Sequence, residues 1–351
     1  MVTREGRIRG ILGAWIICVG CVLPALAAGS VLPIREIQYT ESLDGASPYN
    51  GKVIDCAGGI VVAKQAGGRP RLFVQDPNVS DGWAAIQVKG WTSDAFAAVS
   101  VGDWIEFRQI FVEEFRGTTL LQYWDQNPDG TRPVLKIASH GHLLPRPLVV
   151  EARQIKAPEY QSVEDAWVVA DHGAEKFESM LLEVRAVAVN DQALGKAKDN
   201  YGLQSFREPN DPNASCWASD YLNADRKKTD LYVPAIQPGR RFRAVIGVLE
   251  QYANLGEGFD YYQLLTLNTD SLVELCLADL DRDGDVDLWD YSLFVEQLLA
   301  PATAPKSDLY RAADMNGDGK VDAADLAAFN AAWQKADGND DGIVDERDLD
   351  L

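Results

Sequence analysis

The chain is 351 residues long, with 46% hydrophobic residues and a formal net charge of −20. That length holds two or three domains, and that apolar content excludes a disordered polymer. The acids are unevenly spread: residues 279–351 carry 19 against 6 bases, −13 of the total of −20. A local excess of this kind points to a cation partner rather than to a uniformly acidic surface.

The first segment, MVTREGRIRGILGAWIICVGCVLPALAAGS, places Arg4, Arg7 and Arg9 before an apolar run from Ile11 to Leu26 and the small-residue pattern Ala25-Leu26-Ala27. That is the order of a secretory signal peptide over residues 1–27, so the protein is expected to be extracellular, free or attached to a surface. The run is short for a spanning helix, and no later segment is long and apolar enough to cross a bilayer. Cys21 offers a lipoprotein alternative, but Cys18-Val19-Gly20 before it is a poor lipobox. Beyond the signal stand Cys56, Cys216 and Cys276, an odd count that excludes complete internal pairing. Cys56 lies in the apolar strand pattern KVIDCAGGIVV and reads as a buried thiol. A Cys216–Cys276 bridge stays open.

Residues 30–275 read as all-β. Phe242, Ala244, Ile246 and Val248 alternate with Arg241 and Arg243 on the opposite face, and Leu182, Val184, Ala186 and Ala188 alternate with outward Glu183 and Arg185. Clusters at 127–130, 190–200 and 208–213 supply turns. The region divides into halves at 30–148 and 149–275. In the first, a strand from Lys52 to Lys64 contains Gly58-Gly59, as a strand bent round a small barrel needs. RLFVQDP (71–77), AAIQVKG (84–90) and the long run 101–122 follow, with the apolar phase slipping near Gln109 as at a bulge. The second half offers strands at 180–189, 200–206, 239–252 and 261–268. Each half has the strand content of a five-stranded barrel.

The order SPYNGK (47–52), FVQDP (73–77), VGDWIEF (101–107) and EEFRGTTLLQ (113–122) resembles the OB-fold modules attached to secreted bacterial nucleases. The second half, ending GVLEQY…YYQLLTLN, resembles a diverged partner copy. In this pattern Gly102-Asp103 makes a turn and Gly117-Thr118 a hairpin, and neither does chemistry. The resemblance implies nucleic-acid binding, but residues 28–278 hold 33 acids against 24 bases, so the positive footprint is missing. Basic clusters are confined to Arg226-Lys227-Lys228 and Arg240-Arg241. Trp83, Trp91, Trp124, Trp217 and Tyr221 could stack on bases or on sugar rings, which keeps a glycan open as ligand; rim packing is the plainer role for each.

No catalytic centre is legible. The histidines are His140, His142 and His172, and SHGH (139–142) lies in a Pro- and Gly-rich connector between the halves. There is no Gly-rich phosphate loop or nucleophile elbow. Carboxylates are too plentiful for a glycosidase pair to be picked out without geometry.

The C-terminal region repeats one loop three times: DLDRDGDVDLWD from Asp279, DMNGDGKVDAAD from Asp314 and DGNDDGIVDERD from Asp337. All carry oxygen side chains at loop positions 1, 3, 5, 9 and 12, Gly at 6 and Val at 8. This is the EF-hand calcium loop with Asp in place of Glu at position 12. Calcium takes six to eight oxygens, so a short loop must wrap its carboxylates round one point. The predicted ligands of the first loop are Asp279, Asp281, Asp283, Asp285 by its carbonyl, Asp287 through water, and Asp290. Those of the second are Asp314, Asn316, Asp318, Lys320 by its carbonyl, Asp322 and Asp325. Those of the third are Asp337, Asn339, Asp341, Ile343 by its carbonyl, Asp345 and Asp348. Without a cation these charges favour the open chain; with Ca²⁺, binding free energy becomes folding free energy. Val286 should point inward. Leu293, Phe294 and Leu298 after the first loop, and Leu326, Phe329 and Trp333 after the second, have helical spacing.

Residues 277–351 resemble the type I dockerin module of secreted polysaccharide-degrading systems, with loops 35 residues apart and Pro301 and Pro305 between them. The resemblance implies a small all-α domain docking to a cohesin on a scaffold or cell surface, around polysaccharide breakdown. Loop positions 10 and 11, often polar in that family, are Leu288-Trp289 and Ala323-Ala324, and a third loop is unusual. A calcium-stabilised cap with another partner stays open beside cohesin docking. The sequence thus predicts a mainly β, non-catalytic, secreted protein: two OB-like barrels and a calcium-binding dockerin-like module. A dockerin-bearing glycan hydrolase and a nuclease accessory are the alternatives.

Overall fold

The computed structural model describes residues 30–65, 70–90, 93–163, 166–189, 204–208, 211–219, 222, 241–254, 259–268, 271–274, 276–281, 286–301, 307–316 and 318–336. The expected signal segment, the third loop, and the turn at 190–200 lie outside them.

The first half runs β1 (Val31–Leu32), α1 (Ile34–Gln38), β2 (Val53–Gln65), β3 (Arg71–Gln75), β4 (Ala85–Gly90), α2 (Asp94–Ala98), β5 (Trp104–Phe115), β6 (Thr118–Tyr123) and β7 (Val134–Ser139). Its strands bond in the order β1-β2-β3-β4-β6-β5-β7, and a β2–β5 pairing closes five of them into a barrel. Within that barrel β4 and β6 are parallel and the other pairs antiparallel.

The second half has the same design. It runs β8 (Leu148–Val150), a hairpin of β9 (Glu159–Val163) and β10 (Ala166–Asp171), then β11 (Leu181–Val189), β12 (Gln204–Glu208), β13 (Asp211–Ser219), β14 (Arg241–Asn254), β15 (Phe259–Thr266) and β16 (Leu272–Glu274). Its order is β16-β14-β15-β13-β12-β11-β8 with β14 closing on β11, and β13 and β15 are its parallel barrel pair. Both halves are OB-like barrels, as expected. Each adds a short parallel strand to its first barrel strand and an antiparallel strand to its fourth, four strands that the sequence reading did not contain. The turn pattern of 208–213 extends too far, since β13 already begins at Asp211.

Gly58 and Gly59 let β2 serve two partners. A Cβ at Gly58 (φ +70°) would lie 1.6 Å from the Ile105 carbonyl oxygen, and one at Gly59 2.4 Å from that of Gln75. The phase slip in β5 is a bulge: Ile110 faces Ile54 and Phe107 faces Cys56, so Arg108 and Gln109 share the place opposite Asp55. The Asp55 carboxylate accepts the Gln109 N–H at 2.8 Å. The β5–β6 hairpin turns at Arg116-Gly117, both at positive φ.

Each barrel has its own core, around Val61, Leu72, Ile86, Phe107 and Leu121 in the first and Leu182, Val184, Val245, Leu249 and Leu264 in the second. A third cluster joins them: Val62, Ala63 and Phe73 of the first barrel pack on Leu181, Ala244, Ile246, Val248 and Leu265 of the second. This joint corrects the reading of β14. Ala244, Ile246 and Val248 do share a face, but it is the outer face sealed against the first barrel, while Val245 and Leu249 point into the core. Phe242 belongs to the core set, because the pairing with β16 shifts register between Phe242 and Ala244. Arg243 and Glu183, expected outward, are buried. A strand covered on both sides has no solvent face for the alternation to mark.

Polar groups fix the joint's register. Glu250 takes a buried salt bridge from Arg71 and accepts the amides of Gln87 at 3.0 Å and Gln263 at 3.1 Å. The Leu181 N–H donates to the Gln75 side chain at 2.9 Å, and the Thr118 hydroxyl to the Gln251 carbonyl at 2.8 Å.

After β16 come three helices, α3 (Leu288–Leu298), α4 (Asp308–Ala313) and α5 (Ala323–Ala336). Among the described residues no helix is long and apolar enough to cross a membrane.

Candidate metal centre

The first loop is entered directly from the strand side and left through α3. Carboxylate oxygens of Asp279, Asp281 and Asp290 lie within 4.8 Å of one another. Asp290 is the pivot, 1% exposed. Its Oδ1 accepts the N–H groups of Leu280 at 2.6 Å and Asp281 at 3.2 Å, and its Oδ2 accepts that of Asp287 at 2.9 Å. Asp287 caps α3 by accepting the Trp289 N–H at 2.6 Å, so the two acids form a capping box. Asp283 and Asp285 lie outside the described residues.

The second loop repeats the wiring between α4 and α5. Asp325, fully buried, accepts the N–H groups of Asn316 at 3.1 Å and Asp322 at 2.9 Å, the counterparts of Asp281 and Asp287. Asp314 accepts the Gly319 N–H at 2.8 Å through Oδ2, while its Oδ1 is buried with no hydrogen-bond partner. Asn316 and Asp318 accept the N–H groups of Asp318 and Lys320, each at 2.9 Å. Gly319, at φ +88°, makes the turn at position 6. The position-12 Asp of each loop thus ties the loop's backbone to the exiting helix, and in the first loop its carboxylate also lies in the convergent set.

These donors suit calcium. They are all hard oxygens, with three carboxylates convergent in one loop and a buried, unpartnered carboxylate oxygen in the other. A bound divalent ion supplies the positive charge such groups require. The third set, Asp337, Asn339, Asp341, Ile343, Asp345 and Asp348, lies outside the described residues.

One core holds both loops. Val286 is buried, as expected, with Ala278, Leu280, Phe294, Ala313 and Phe329. The Phe294 and Phe329 rings are 5.0 Å apart, and Trp333 meets Phe329 edge-on at 5.8 Å. Leu293, Leu298 and Leu326 pack round them. The sequence reading missed α4, whose signal was Ser307, an N-cap accepting the Tyr310 N–H at 3.0 Å. Outside the core, Leu288 is 76% and Trp289 63% exposed.

The other candidates do not converge. His140 Nδ1 meets Asp103 at 2.7 Å and His142 Nε2 meets the Ser139 hydroxyl at 2.6 Å, so the two are engaged separately at the end of β7. Cys216 and Cys276 form no disulfide: Cys216 lies in the second barrel's core, and the Cys276 S–H faces the Ala332 carbonyl at 3.6 Å. Cys56 is buried, and desolvation pushes its thiol up to about 12. Trp83 meets Tyr39 edge-on at 5.6 Å and Trp124 stacks on Phe111 at 5.5 Å; Trp91 and Tyr221 lie outside the described residues.

Residues 277–332 match the family model of the dockerin type I domain. No curated protein matches the chain. Among solved structures, the OB domain of a Methanosarcina mazei protein is similar at 11% identity and TM-score 0.20, covering 26% of this chain and 78% of that one. Fission yeast Pot1 with single-stranded DNA is similar at 10% identity and TM-score 0.29, covering 68% and 84% respectively.

Proposed function

We propose that this is a secreted, non-catalytic attachment protein in three parts: OB-like barrels at 30–148 and 149–275, and a calcium-dependent dockerin module at 277–351 that docks to a cohesin-type partner in extracellular polysaccharide breakdown. The observation that carries the reading is the pair of oxygen-lined loops, 35 residues apart and built on one core, inside the segment that matches the type I dockerin domain. Ca²⁺ is the ion held, by the residues named above. The exposed Leu288 and Trp289 at the first loop's positions 10 and 11, with Ala323 and Ala324 exposed at the second's, favour a partner with an apolar docking patch.

The barrels then form a single presenting body. In an OB barrel the second and third strands bear the usual ligand face. In the first barrel those are β3 and β4, and Phe73, Arg71 and Gln87 on that face are buried in the joint. This supports a structural role for that face over binding of nucleic acid or glycan.

The test is calorimetric titration of the full chain with a panel of cohesin-type domains in calcium at about 1 mM, the upper end of the EF-hand affinity range, and again in chelator. Binding is expected with calcium and its loss with chelator, and Leu288→Ser with Trp289→Ser should weaken it at least about tenfold, as for a lost hot spot. A calcium-folded module that binds none of the panel would discard the docking role.

A further inference from the structure

We propose that the joint between the two barrels is a proton-held clasp, closed while Glu114, Glu175 and Glu178 share protons and loosened in alkaline medium. The three carboxyls come from both sides of the joint. Glu114 lies on β5 of the first barrel, while Glu175 and Glu178 lie on the turn that leads into β11 of the second. Glu178 reaches across to accept the Thr119 N–H of β6 at 3.1 Å, and the Gln38 amide of α1 lies 3.5 Å away. Glu114 accepts the Ser47 N–H at 2.8 Å and takes the Thr119 hydroxyl. Glu175 takes the Tyr262 hydroxyl of β15 at 2.7 Å.

Two features mark the cluster as short of positive charge. Glu175 and Glu178 are 4% and 2% exposed, and no lysine or arginine among the described residues pairs with any of the three acids. Among the described residues, His172, whose Nδ1 is 3.0 Å from Glu175, is the one basic side chain that pairs with any of them. Asp44 and Asp260 add negative charge, and Tyr160, Tyr262 and Gln251 add only neutral dipoles. Lys176, on the same turn, lies over the Phe177 ring. Second, Glu178 Oε1 and the hydroxyl of Ser179 are buried with no hydrogen-bond partner, and Ser179 is held at φ +62°. A buried carboxylate oxygen that accepts nothing is where a proton is most easily carried.

Two buried acids, a half-buried third and one histidine cannot all ionise side by side in a weakly polarisable interior. Burial raises Glu178 well above the usual range, with Glu175 and Glu114 adding repulsion. Burial likewise raises Glu114 to about 7. An acid raised in the closed state binds its proton more tightly there. Its stabilisation is therefore complete below the ordinary glutamate range and is lost as pH climbs through the raised value. For Glu114 the window runs from about 4.5 to about 7.

Hydrogen exchange on the calcium-loaded full chain tests this at pH 5.5, 7 and 8.5, with rates corrected for intrinsic chemistry. The reporters are the amides of Ser47 and Thr119, which bond to the clasp. The Gly51 amide, bonded to the Val112 carbonyl within the first barrel, is the reference. Protection of the reporters should fall on the order of 30-fold from the lowest to the highest pH, the shift that an acid raised as Glu114 is can drive across that interval, while the reference holds. In Glu114→Gln with Glu178→Gln the step should vanish. If that pair fails to fold, Glu114→Gln alone, the least buried of the three, must shrink it. Flat protection in the native chain, or an undiminished step in the variant that folds, would overturn the proposal.

Discussion

Asp290→Ala separates the two duties assigned to the position-12 aspartate. Removing the carboxylate orphans three backbone N–H groups, those of Leu280, Asp281 and Asp287, and breaks the capping box on α3. A lost cap costs about 1 kcal/mol, and a buried unsatisfied donor about 1–3 kcal/mol more, so the calcium-free module should lose roughly 2–4 kcal/mol. In calcium a further increment disappears. If the loop binds with an affinity on the order of 10 µM, 1 mM calcium is ~100-fold above it and stabilises by about 2.7 kcal/mol. For a domain of this size each kcal/mol moves the midpoint by about 4–8 °C. Scanning calorimetry of the full chain, with calcium and with chelator, should therefore show a calcium increment on the order of 10 °C or more. In Asp290→Ala that increment should shrink by about half, leaving the second loop's share, and Asp290→Ala with Asp325→Ala should remove it. A single variant that is destabilised equally with and without calcium would show that Asp290 acts as a cap alone.

Phe73→Ala empties a fully buried site in the cluster that Leu181, Ala244, Ile246, Val248 and Leu265 of the other barrel share. It should cost about 3–5 kcal/mol in urea unfolding; a cost under about 1 kcal/mol would mean that the joint does not hold the barrels. Glu250→Ala removes the carboxylate that offsets the buried charge of Arg71 and should cost ~3–5 kcal/mol, and a double-mutant cycle with Arg71→Met should give a coupling above about 1 kcal/mol, since the pair is in direct contact. Gly58→Ala drives a methyl into the Ile105 carbonyl and should abolish folded first barrel, read as loss of the strand signal in circular dichroism; an intact spectrum would refute the account of the bend.

What the sequence made legible was local. The calcium loops announce themselves because ligand geometry fixes residue types at set positions within twelve residues, and the bulge at Gln109 because a strand's apolar phase has to slip where it bends. The short strands β1, β7, β8 and β16 escaped because two to six residues are too few to display a period. Helix α4 escaped because its six residues carry one cap and little periodicity. The Gly102-Asp103 turn carries no chemistry legible in the sequence, yet it holds a defined contact: Asp103 is buried against His140.

The joint was illegible for a different reason. Arg71 and Glu250 are separated by 179 residues and Glu178 and Thr119 by 59, so neither pairing leaves a trace at any fixed spacing. What the sequence does contain is the consequence, in β14: charged Arg243 and Glu250 inside an apolar run that reads as one-sided. A strand with one wet face can take charge there at no cost, whereas a strand buried on both faces must supply each charge with a partner. Glu250 has Arg71, Gln87 and Gln263. The same rule exposes Glu178, which is equally buried and among the described residues has only an amide and a backbone N–H for company, and it is this contrast between two glutamates in one joint that makes a proton the missing partner.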